Sequence, residues 1–578
     1  MTGAQVQVPQ QPWFTQLFQH VQNTPNRTFI RDLGTGKEAT FAEFLYEVLA
    51  HGARLKETLS QDIHARLHDP NEEVFIGLLA GAGFEYVVLL FAIYSIGGIA
   101  VPMRAHVHPE EAQYFLSACN AVILTSSQEA AEQGESLSTF LGIDLFTFSP
   151  SSATEYANAQ FTLMHESNPD PSKTPYDPTR SFALLYTSGT TGPPKGALYT
   201  CNSLVLGTKA YLDHLSLSAT DTWLHQMPAH WKGGFDFILA AAYAGACLEF
   251  CSSMFSPIWF WERMRYGGVT AMVASPTTLS GLKEMLDLIE CPKEREESIR
   301  GLNDIRALST GSMAVPDSVK DVWRKLRGGR PLVIMYGFTE AAGMMAMTDW
   351  RDMETREISS GNCGTLAPDM EGKVNECGEI CFKGPLLMKR YVSAQETVMS
   401  NVFDESGFYK SGDLGSISAK GEISIHGRAN QDVIRSLGWK VNALEVEDAL
   451  REHPSISNVF VLGVADTEAG QRVAALIVKK RDINPKSRNE SDFRLIALRK
   501  YLAVEKQLPA FKLPSLLRVI PHSEALPASG SGKPSKKKME GVYFGSGALG
   551  SGEVEVWDFR TKEDFPERPW DWEGRPPA

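Results

Sequence analysis

Residues 185–196 read Leu185-Tyr186-Thr187-Ser188-Gly189-Thr190-Thr191-Gly192-Pro193-Pro194-Lys195-Gly196. Apolar, strand-like residues flank this stretch, from Ser181 to Tyr186 before it and from Ala197 to Tyr199 after it. Glycines let backbone N–H groups approach a ligand, hydroxyls donate hydrogen bonds, and a lysine adds a mobile positive charge. The composition therefore predicts a polyphosphate-binding loop. A flexible surface linker fits less well, because strand-like segments hold both ends.

The loop differs from a Walker A loop, since no glycine precedes a Gly-Lys-Ser/Thr run at the required spacing. It resembles the phosphate-binding signature of the adenylate-forming enzymes, which include acyl-CoA synthetases, firefly luciferases and the adenylation domains of peptide synthetases. One motif alone can mislead. The resemblance therefore depends on whether companion motifs follow in the same order.

Length and composition favour a soluble, multidomain protein. The chain has 578 residues, of which 43% are apolar and 22% charged. Its formal net charge of −13 argues against broad nucleic-acid binding, although a local basic pocket can still hold an anionic ligand. The eight cysteines are sparse and form no CxxC pair, which favours a reducing compartment over a disulfide framework.

No targeting or membrane-spanning signal is evident in the sequence. Residues 1–12 contain no basic run and no signal-like apolar core. The long apolar stretch Tyr86–Met103 contains two glycines and a proline, so we expect a buried helix through Ile96, a glycine turn and a strand. The final residues, 575–578, match no targeting address. We expect a soluble, cytoplasmic protein without a membrane span.

Apolar strands alternate with helical segments through most of the chain. Strands are expected at residues 74–79, 121–125, 271–274 and 332–335, and helices at 203–215 and 279–288. This alternation predicts α/β layers with parallel sheets. Residues 13–59 are predicted to be helical, with a turn at Asp32–Gly36.

The pattern changes after about Tyr391, where short strands and turns take over. Further on, helices are expected at residues 443–452 and 492–502, and strands at 459–464 and 473–479. We predict a boundary near residue 430, with an N-terminal domain of residues 1–429 and a C-terminal domain of residues 430–578. The tail from about Gly541 is rich in glycine, proline and charge, and its sequence does not decide between disorder and docking through its tryptophans.

Further motifs follow the loop in the order that the adenylate-forming family shows. Pro228–Gly234 resembles the family segment in which His230 would start the helix lining the acyl pocket. Ser309–Ser312 resembles the loop near the adenine and the substrate, where Gly311 lets the backbone approach a flat ring. Tyr336–Glu340 follows a buried strand, and ligands of open α/β sheets bind beyond such strand ends.

The last motifs concern the ribose and the catalytic lysine. Asp413, in Ser411-Gly412-Asp413-Leu414, resembles the family carboxylate that accepts hydrogen bonds from both ribose hydroxyls. Arg428 would add a ribose or phosphate contact, because its guanidinium is permanently charged and forked. Lys533 resembles the lysine of the family's C-terminal catalytic loop, whereas a Ser/Gly surface linker is the alternative reading of that segment.

The resemblance extends from about residue 13 to 540 and implies both fold and reaction. The implied fold is α/β, with a large N-terminal domain of layered sheets and a small β-barrel, plus a smaller, mobile α+β C-terminal domain. The implied reaction is an ATP- and Mg²⁺-dependent acyl-CoA ligation. A carboxylate forms an acyl-adenylate with release of pyrophosphate, and coenzyme A then displaces AMP.

The resemblance also assigns residues to these steps. The implied ATP-binding residues are Thr187, Ser188, Gly189, Thr190, Thr191, Gly192, Lys195, Gly311, Tyr336, Gly337, Asp413 and Arg428. The implied catalytic residues are Lys533, His230, Thr339 at the α-phosphate and Glu340 as the Mg²⁺ ligand.

The family's C-terminal domain rotates between the two half-reactions. Its hinge residue is usually Asp or Lys, and here Asn430 stands in that position, which is compatible with unusual backbone angles. A second departure is Arg390, where the family commonly has glycine before tyrosine. Ser436, Gly438 and Trp439 belong to a loop that resembles the lining of the pantetheine tunnel. No carrier-protein domain follows the lysine motif, so free coenzyme A is the expected acceptor and a separate carrier protein is the alternative.

The sequence is least informative about the acid. Several C-terminal stretches are closest to malonyl-CoA synthetases and their medium-chain relatives, but that region does not form the acyl pocket. A dicarboxylate would need a second cation, for which Arg306 is a candidate, while Met344–Met347 would suit an apolar tunnel. We favour a medium-chain or aryl acid, with malonate as the alternative.

A protein of another class is also possible, namely a non-catalytic scaffold that holds ATP or an acyl-adenylate. The presence of Lys533, Glu340, Asp413 and Arg428 argues against it. The expected partners are small molecules only, and the chain is expected to be a monomer or homodimer.

Overall fold

A computed structural model shows the arrangement of most of the chain. It describes residues 5–152, 156, 159–164, 176–187, 194–251, 255–349, 361–393, 402–428, 432–437, 439–467, 469–480, 493–528 and 534–558.

The larger, N-terminal part contains the strands β1 (Gln5–Val8), β2 (Thr28–Asp32), β3 (Lys37–Thr40), β4 (Phe75–Leu79), β5 (Ile99–Met103), β6 (Ile123–Ser126), β7 (Asp144–Thr147), β8 (Gln160–Leu163), β9 (Ser181–Tyr186), β10 (Gly196–Thr200), β11 (Thr222–His225), β12 (Cys247–Phe250), β13 (Ala271–Val273), β14 (Ala307–Gly311), β15 (Val333–Tyr336), β16 (Ala346–Met347), β17 (Asn362–Leu366), β18 (Glu371–Val374), β19 (Glu379–Lys383), β20 (Arg390–Val392), β21 (Tyr409–Ile417) and β22 (Glu422–Arg428). The smaller part adds β23 (Val433–Ser436), β24 (Trp439–Asn442), β25 (Ile456–Asp466), β26 (Gly470–Lys479), β27 (Leu516–Ile520) and β28 (Glu555–Val556).

The helices of the larger part are α1 (Pro12–Asn23), α2 (Phe41–Thr58), α3 (Gln61–His68), α4 (Phe84–Ser95), α5 (Pro109–Ala118), α6 (Ala131–Leu141), α7 (Cys201–Leu215), α8 (Lys232–Ala244), α9 (Pro257–Met264), α10 (Pro276–Asp287), α11 (Pro292–Leu302) and α12 (Asp317–Leu326). The smaller part has α13 (Ala443–Arg451), α14 (Leu495–Lys500), α15 (Lys536–Phe544) and α16 (Ser546–Gly550), with a π-helical turn at Tyr501–Glu505 and a 3₁₀ turn at Ala510–Lys512.

Two large sheets build the N-terminal part. One has seven strands in the order β20-β10-β9-β5-β4-β6-β7, and the other has thirteen in the order β18-β19-β21-β22-β17-β16-β15-β14-β13-β11-β12-β2-β3. Within the second sheet, the run from β15 to β2 is parallel. Its carboxyl strand ends therefore meet along one edge, where ligands of α/β sheets bind.

The antiparallel end of the large sheet consists mostly of short strands. Strands β16 to β19, β21 and β22 pack around a core of their own, which includes Met345, Phe382 and Ile423. Their hydrogen bonding continues that of the parallel strands through β16, which pairs antiparallel to β15. This arrangement carries Asp413 and Arg428 back towards the end of β15.

The long apolar stretch folds as predicted. Helix α4 is buried almost all round, and Gly97, at φ +82°, turns the chain into β5. The turn requires a residue that tolerates positive φ, which glycine does without steric cost. No helix in the described part of the chain is long and apolar enough to cross a membrane.

One local prediction was wrong. Residues 28–40 form the antiparallel hairpin β2–β3 around the predicted turn, rather than helix on both sides of it. Strand β2 also pairs with β12, with Ile30 opposite Leu248. Because that partner is more than 200 residues away in the sequence, tertiary pairing overrode the local pattern.

The tail after Gly541 joins the C-terminal sheet. The order of this sheet is β24-β23-β26-β27-β28, with β25 on β26, so the tail adds an edge strand next to β27. The Trp557 backbone N–H donates to the Ser515 carbonyl at 2.8 Å, and the Arg499 guanidinium lies 4.4 Å from the Trp557 ring centroid. The tail up to residue 558 therefore packs against the C-terminal sheet.

Candidate active site

Two residues that were predicted to bind ATP end neighbouring strands. Gly311 is the last residue of β14, Tyr336 is the last of β15, and Gly311 pairs with Met335 across the two strands. A Cβ on Gly311 would lie 2.3 Å from the Met335 carbonyl oxygen, so only glycine permits this approach. Gly337 follows directly. The structure therefore places these three residues at the carboxyl edge of the parallel strands.

Tyr336 and Arg428 both bind the carboxylate of Asp413. The Tyr336 hydroxyl donates to Oδ2 of Asp413 at 2.6 Å, and Nε of Arg428 donates to Oδ1 at 2.8 Å. The Asp413 side chain is 5% exposed. Burial raises the pKa of Asp413 above its ordinary value, while the charge of Arg428 opposes that rise. The sequence alone placed these residues in separate motifs, and the fold brings them together.

Thr339 and Glu340 lie in the turn after β15, and three contacts fix this turn. The Tyr199 hydroxyl, from β10, donates to the Thr339 carbonyl. The backbone N–H of Met388 donates to the Glu340 carbonyl at 2.8 Å. The Tyr391 hydroxyl, from β20, donates to Oε1 of Glu340. The backbone and the carboxylate of Glu340 are thus held separately.

The base of the predicted phosphate loop is closed by Thr187 and Lys195. The Thr187 backbone N–H donates to the Lys195 carbonyl at 2.8 Å, and the Lys195 N–H donates to the Thr187 hydroxyl at 3.1 Å. Several predicted residues lie outside the described part of the chain, namely Ser188, Gly189, Thr190, Thr191, Gly192, Asn430, Gly438 and Lys533.

His230 precedes helix α8 and is neutral at physiological pH. Burial, reinforced by the positive charge of Arg104, lowers the pKa of His230 to about 4. Its ring meets that of Trp231 edge-on at 6.0 Å. A neutral imidazole beside a tryptophan can line a pocket, although it carries no charge for binding an anion.

A buried ion pair follows within the first turn of α8. Lys232 donates to Asp236, and Tyr211 donates to the other Asp236 oxygen at 3.1 Å. The Lys232 ammonium also lies 5.2 Å from the centroid of the Tyr199 ring. A cation at a helix N-terminus is unfavourable, and Asp236 offsets it one turn later. The sequence motifs gave no sign of this pair.

Buried histidines make the fold sensitive to acid. Burial lowers the pKa of His51, His225 and His230 to about 4, against about 6.5 in the unfolded chain. The folded state therefore binds fewer protons between these values, and stability falls as the pH drops from about 6.5 to 4.

Replacing one of these histidines is expected to weaken that dependence. His225→Asn should lose less stability than the unmodified protein between pH 6.5 and 4.5, because one protonation coupled to unfolding is removed. The difference should reach at most about 3 kcal/mol. Thermal denaturation across this range measures it, and an unchanged pH slope would contradict the assignment.

Ser436 and Trp439 face each other across the β23–β24 hairpin. Leu437, between them, has φ +50°, and the Trp439 ring stacks on Phe511 at 4.4 Å. Both residues belong to the C-terminal sheet, whereas Asp413 belongs to the thirteen-stranded sheet. Their predicted role in binding the pantetheine arm stays a prediction.

Arg306 is not placed to bind a substrate carboxylate. It precedes β14, whereas Gly311 ends this strand, about 16 Å away at the rise of an extended chain. Its guanidinium forks onto Asp221, at 3.0 Å from Nε to Oδ1 and 2.7 Å from Nη2 to Oδ2. The suggestion that Arg306 serves as a dicarboxylate's second cation was therefore wrong.

Arg306→Ala is expected to act on stability and not on the choice of acid. The Asp221 side chain is 3% exposed and would lose its cation, at a cost of about 2–3 kcal/mol. Urea denaturation measures this loss, and the ratio of kcat/KM between acids should be unchanged. A selective loss of malonate turnover would restore the substrate-binding hypothesis.

Sequence reasoning missed Tyr199 and Tyr391 as residues that hold the Thr339–Glu340 turn. They lie on β10 and β20, which pair antiparallel with Ala197 opposite Tyr391. The two strands are nearly 200 residues apart in the sequence. A local pattern does not predict such a pairing, although the family resemblance did draw attention to the Arg390–Tyr391 step.

Comparison with known proteins shows that this chain is an acid–thiol ligase, an enzyme that joins an acid to a thiol. The chain belongs to the family of AMP-binding enzymes: the family model matches residues 17–392, and the model of the AMP-binding enzyme C-terminal domain matches residues 445–533. The use of ATP and coenzyme A is typical of the CoA ligases in this family.

Similar proteins agree with this assignment. A malonate–CoA ligase of Arabidopsis thaliana is 29% identical over 488 residues, covering 80% of this chain and 77% of that protein. The acyl-CoA ligase oryP of Aspergillus oryzae is 28% identical over 546 residues, covering 93% of each chain. ATP-bound MatB from Rhodopseudomonas palustris superposes with a TM-score of 0.73 at 21% identity, covering 93% of this chain and 99% of that one. This last likeness concerns the fold.

Proposed function

We propose that this enzyme activates a medium-chain or aryl carboxylic acid as its adenylate and transfers the acyl group to coenzyme A. The observation that carries the proposal is the convergence of Tyr336, Asp413 and Arg428 next to the turn that holds Glu340. A buried carboxylate paired with a forked cation suits a sugar hydroxyl pair beside a phosphate.

The first half-reaction needs charge stabilisation and in-line positioning more than covalent help. Asp413 and Arg428 bind the ribose, and Gly311, Tyr336 and Gly337 border the adenine. Lys195 and the loop from Thr187 to Gly192 hold the β- and γ-phosphates. Thr339 contacts the α-phosphate, and Lys533 bridges acyl and phosphate oxygens while the substrate carboxylate attacks phosphorus.

The residues of the turn fit a magnesium ion. Mg²⁺ prefers one or two carboxylates together with phosphate oxygens, and Glu340 offers a carboxylate whose backbone is fixed. Glu340 would hold the ion. When bound, Mg²⁺ neutralises charge on the departing pyrophosphate.

The second half-reaction uses the C-terminal domain. We place the domain boundary at residue 430, with Asn430 as the hinge, and Ser436, Gly438 and Trp439 along the path of the pantetheine arm. Free coenzyme A is the proposed acceptor. Acceptance of the acyl group only by a carrier protein would replace this part of the proposal.

The side chains near the site support the proposed acid class. Arg306 forms an ion pair with Asp221, and His230 is neutral, so neither residue supplies a free cation. Met344 lies against Gly337, where a Cβ would sit 3.0 Å from its sulfur. Flexible thioethers suit an apolar acyl chain or ring.

Malonate is the second candidate, because malonate–CoA ligases are among the relatives. Lys232 lies at the start of the helix predicted to line the pocket, but Asp236 already neutralises it. A dicarboxylate would have to displace Asp236 or bind elsewhere.

A comparison of kcat/KM across acids separates the two candidates. We expect hexanoate, octanoate, benzoate or cinnamate to exceed malonate by about tenfold or more. The reverse order would replace the proposed class with malonate. In that case Lys232→Met, which keeps the volume but removes the charge, should abolish the malonate preference.

A further inference from the structure

Tyr391 contacts both Lys195 and Glu340, which belong to segments next to different sheets. It lies on β20, at the edge of the seven-stranded sheet, and its side chain is almost fully buried. Its neighbour across the strand pair is Ala197, two residues after Lys195. Glu340, in contrast, follows β15 of the thirteen-stranded sheet.

Two different parts of the Tyr391 side chain make these contacts. The hydroxyl donates to Oε1 of Glu340, and the Lys195 ammonium lies 5.4 Å from the ring centroid. That distance is within the range of a cation–π attraction. One side chain therefore touches both the lysine of the phosphate loop and the carboxylate proposed for Mg²⁺.

The Tyr391 hydroxyl is the donor in its hydrogen bond to Glu340, because an ionised carboxylate only accepts. A neutral phenol that donates to a carboxylate forms a charge-assisted hydrogen bond, which is stronger than a neutral one. This bond selects one orientation of the Glu340 carboxylate.

The backbone of Glu340 does not depend on that hydroxyl. Met388 donates to its carbonyl at 2.8 Å, and Ala341 forms an antiparallel bridge with Leu387. Loss of the Tyr391 hydroxyl should therefore loosen the carboxylate, which Tyr409 also contacts, while the turn stays in place. The effect on metal binding is separable from an effect on the fold.

We propose that Tyr391 is a positioning residue, which orients the Glu340 carboxylate towards Mg²⁺ and holds the Lys195 ammonium over its ring. The proposal rests on the proposed function in so far as that places Mg²⁺ and the ATP phosphates at this turn. Partners that orient a metal ligand typically change metal affinity by about 10- to 100-fold when removed.

The test measures ATP binding by calorimetry at increasing Mg²⁺ concentration, without acid or coenzyme A. Tyr391→Phe should raise the Mg²⁺ concentration needed for half-maximal enhancement of ATP binding by about tenfold or more. Its affinity for ATP without Mg²⁺ should be unchanged, because the ring beneath Lys195 remains. Tyr391→Leu should weaken ATP binding under both conditions, and neither variant should alter AMP binding.

Two controls make the outcome specific. Tyr94→Phe removes a buried hydroxyl that lies 3.0 Å from Cys201 Sγ, and it should leave the Mg²⁺ response unchanged. In a Glu340→Gln background, Tyr391→Phe should cause no further change. An unchanged Mg²⁺ response of Tyr391→Phe, or an equal further loss in the Glu340→Gln background, would overturn the positioning role.

The assay also separates this proposal from the proposed function. If ATP binding by the unmodified enzyme does not respond to Mg²⁺, the metal-binding role of Glu340 and the positioning role of Tyr391 both fall. Acid-dependent pyrophosphate release is measured independently and would still decide whether the chain is a ligase.

Discussion

Lys533→Ala is expected to slow pyrophosphate release by about 10²- to 10³-fold, the usual cost of losing one preorganised charge donor. In the proposed mechanism Lys533 neutralises charge between the attacking carboxylate and the α-phosphate, and this charge develops only during adenylation. Thioester formation from a supplied acyl-adenylate should stay largely intact, because AMP is then only the leaving group.

The two half-reactions can be measured separately for this variant. Pyrophosphate release reports the first, and acyl-CoA formation from synthetic acyl-adenylate reports the second. Lys537→Ala is the matched control, since Lys537 is exposed on α15 and should leave both rates unchanged. An equal loss of both steps in Lys533→Ala would refute the division of labour.

Asp413→Asn is expected to weaken ATP binding by about 10²-fold, on the order of 3 kcal/mol. Asparagine keeps the shape but gives up the charge that pairs with Arg428 and one oxygen acceptor. The buried amide cannot accept from Tyr336, from Arg428 and from a ribose diol together.

Calorimetric titration with ATP and with AMP measures this effect. Both nucleotides should lose affinity alike, since they share the ribose. Asp404→Asn removes a carboxylate that pairs with Lys373, away from the proposed ribose contacts, and it should change neither affinity. Unchanged ATP binding by Asp413→Asn, with its thermal stability preserved, would exclude Asp413 from the nucleotide site.

Local sequence patterns predicted the helices and strands whose buried residues form a continuous run in the sequence. The strand from Ser181 to Tyr186, the succession α4–glycine turn–β5 and the helix α13 all formed where they were expected. Hydrophobic runs and glycines determine such elements locally. The hairpin β2–β3 was missed because its pairing with β12 is decided by distant residues.

The site was predictable as a set of motifs but not as a geometry. The order of motifs singled out Tyr336, Asp413 and Arg428. Only the folded sheet shows that Tyr336 and Arg428 both bind the Asp413 carboxylate. Tyr199 and Tyr391 remained hidden, because β10 and β20 meet only in the folded chain.

Arg306 shows the opposite error. Its neighbourhood in the sequence, close to Gly311, suggested a place in the pocket. Arg306 lies at the amino end of β14 and Gly311 at its carboxyl end, so the whole length of the strand separates them. The amino end lies away from the edge of the sheet where ligands bind. Direction along the strand, which the sequence already contained, would have argued against it.

The most direct test of the proposed ligase activity is to measure pyrophosphate release from ATP by the purified protein. The acids tested run from acetate and malonate to octanoate and cinnamate, each with and without coenzyme A. We predict release that depends on one acid class, is raised by coenzyme A and is matched by formation of an acyl-CoA. Binding of ATP without release for any of these acids would contradict the ligase assignment and favour a non-catalytic nucleotide-binding protein.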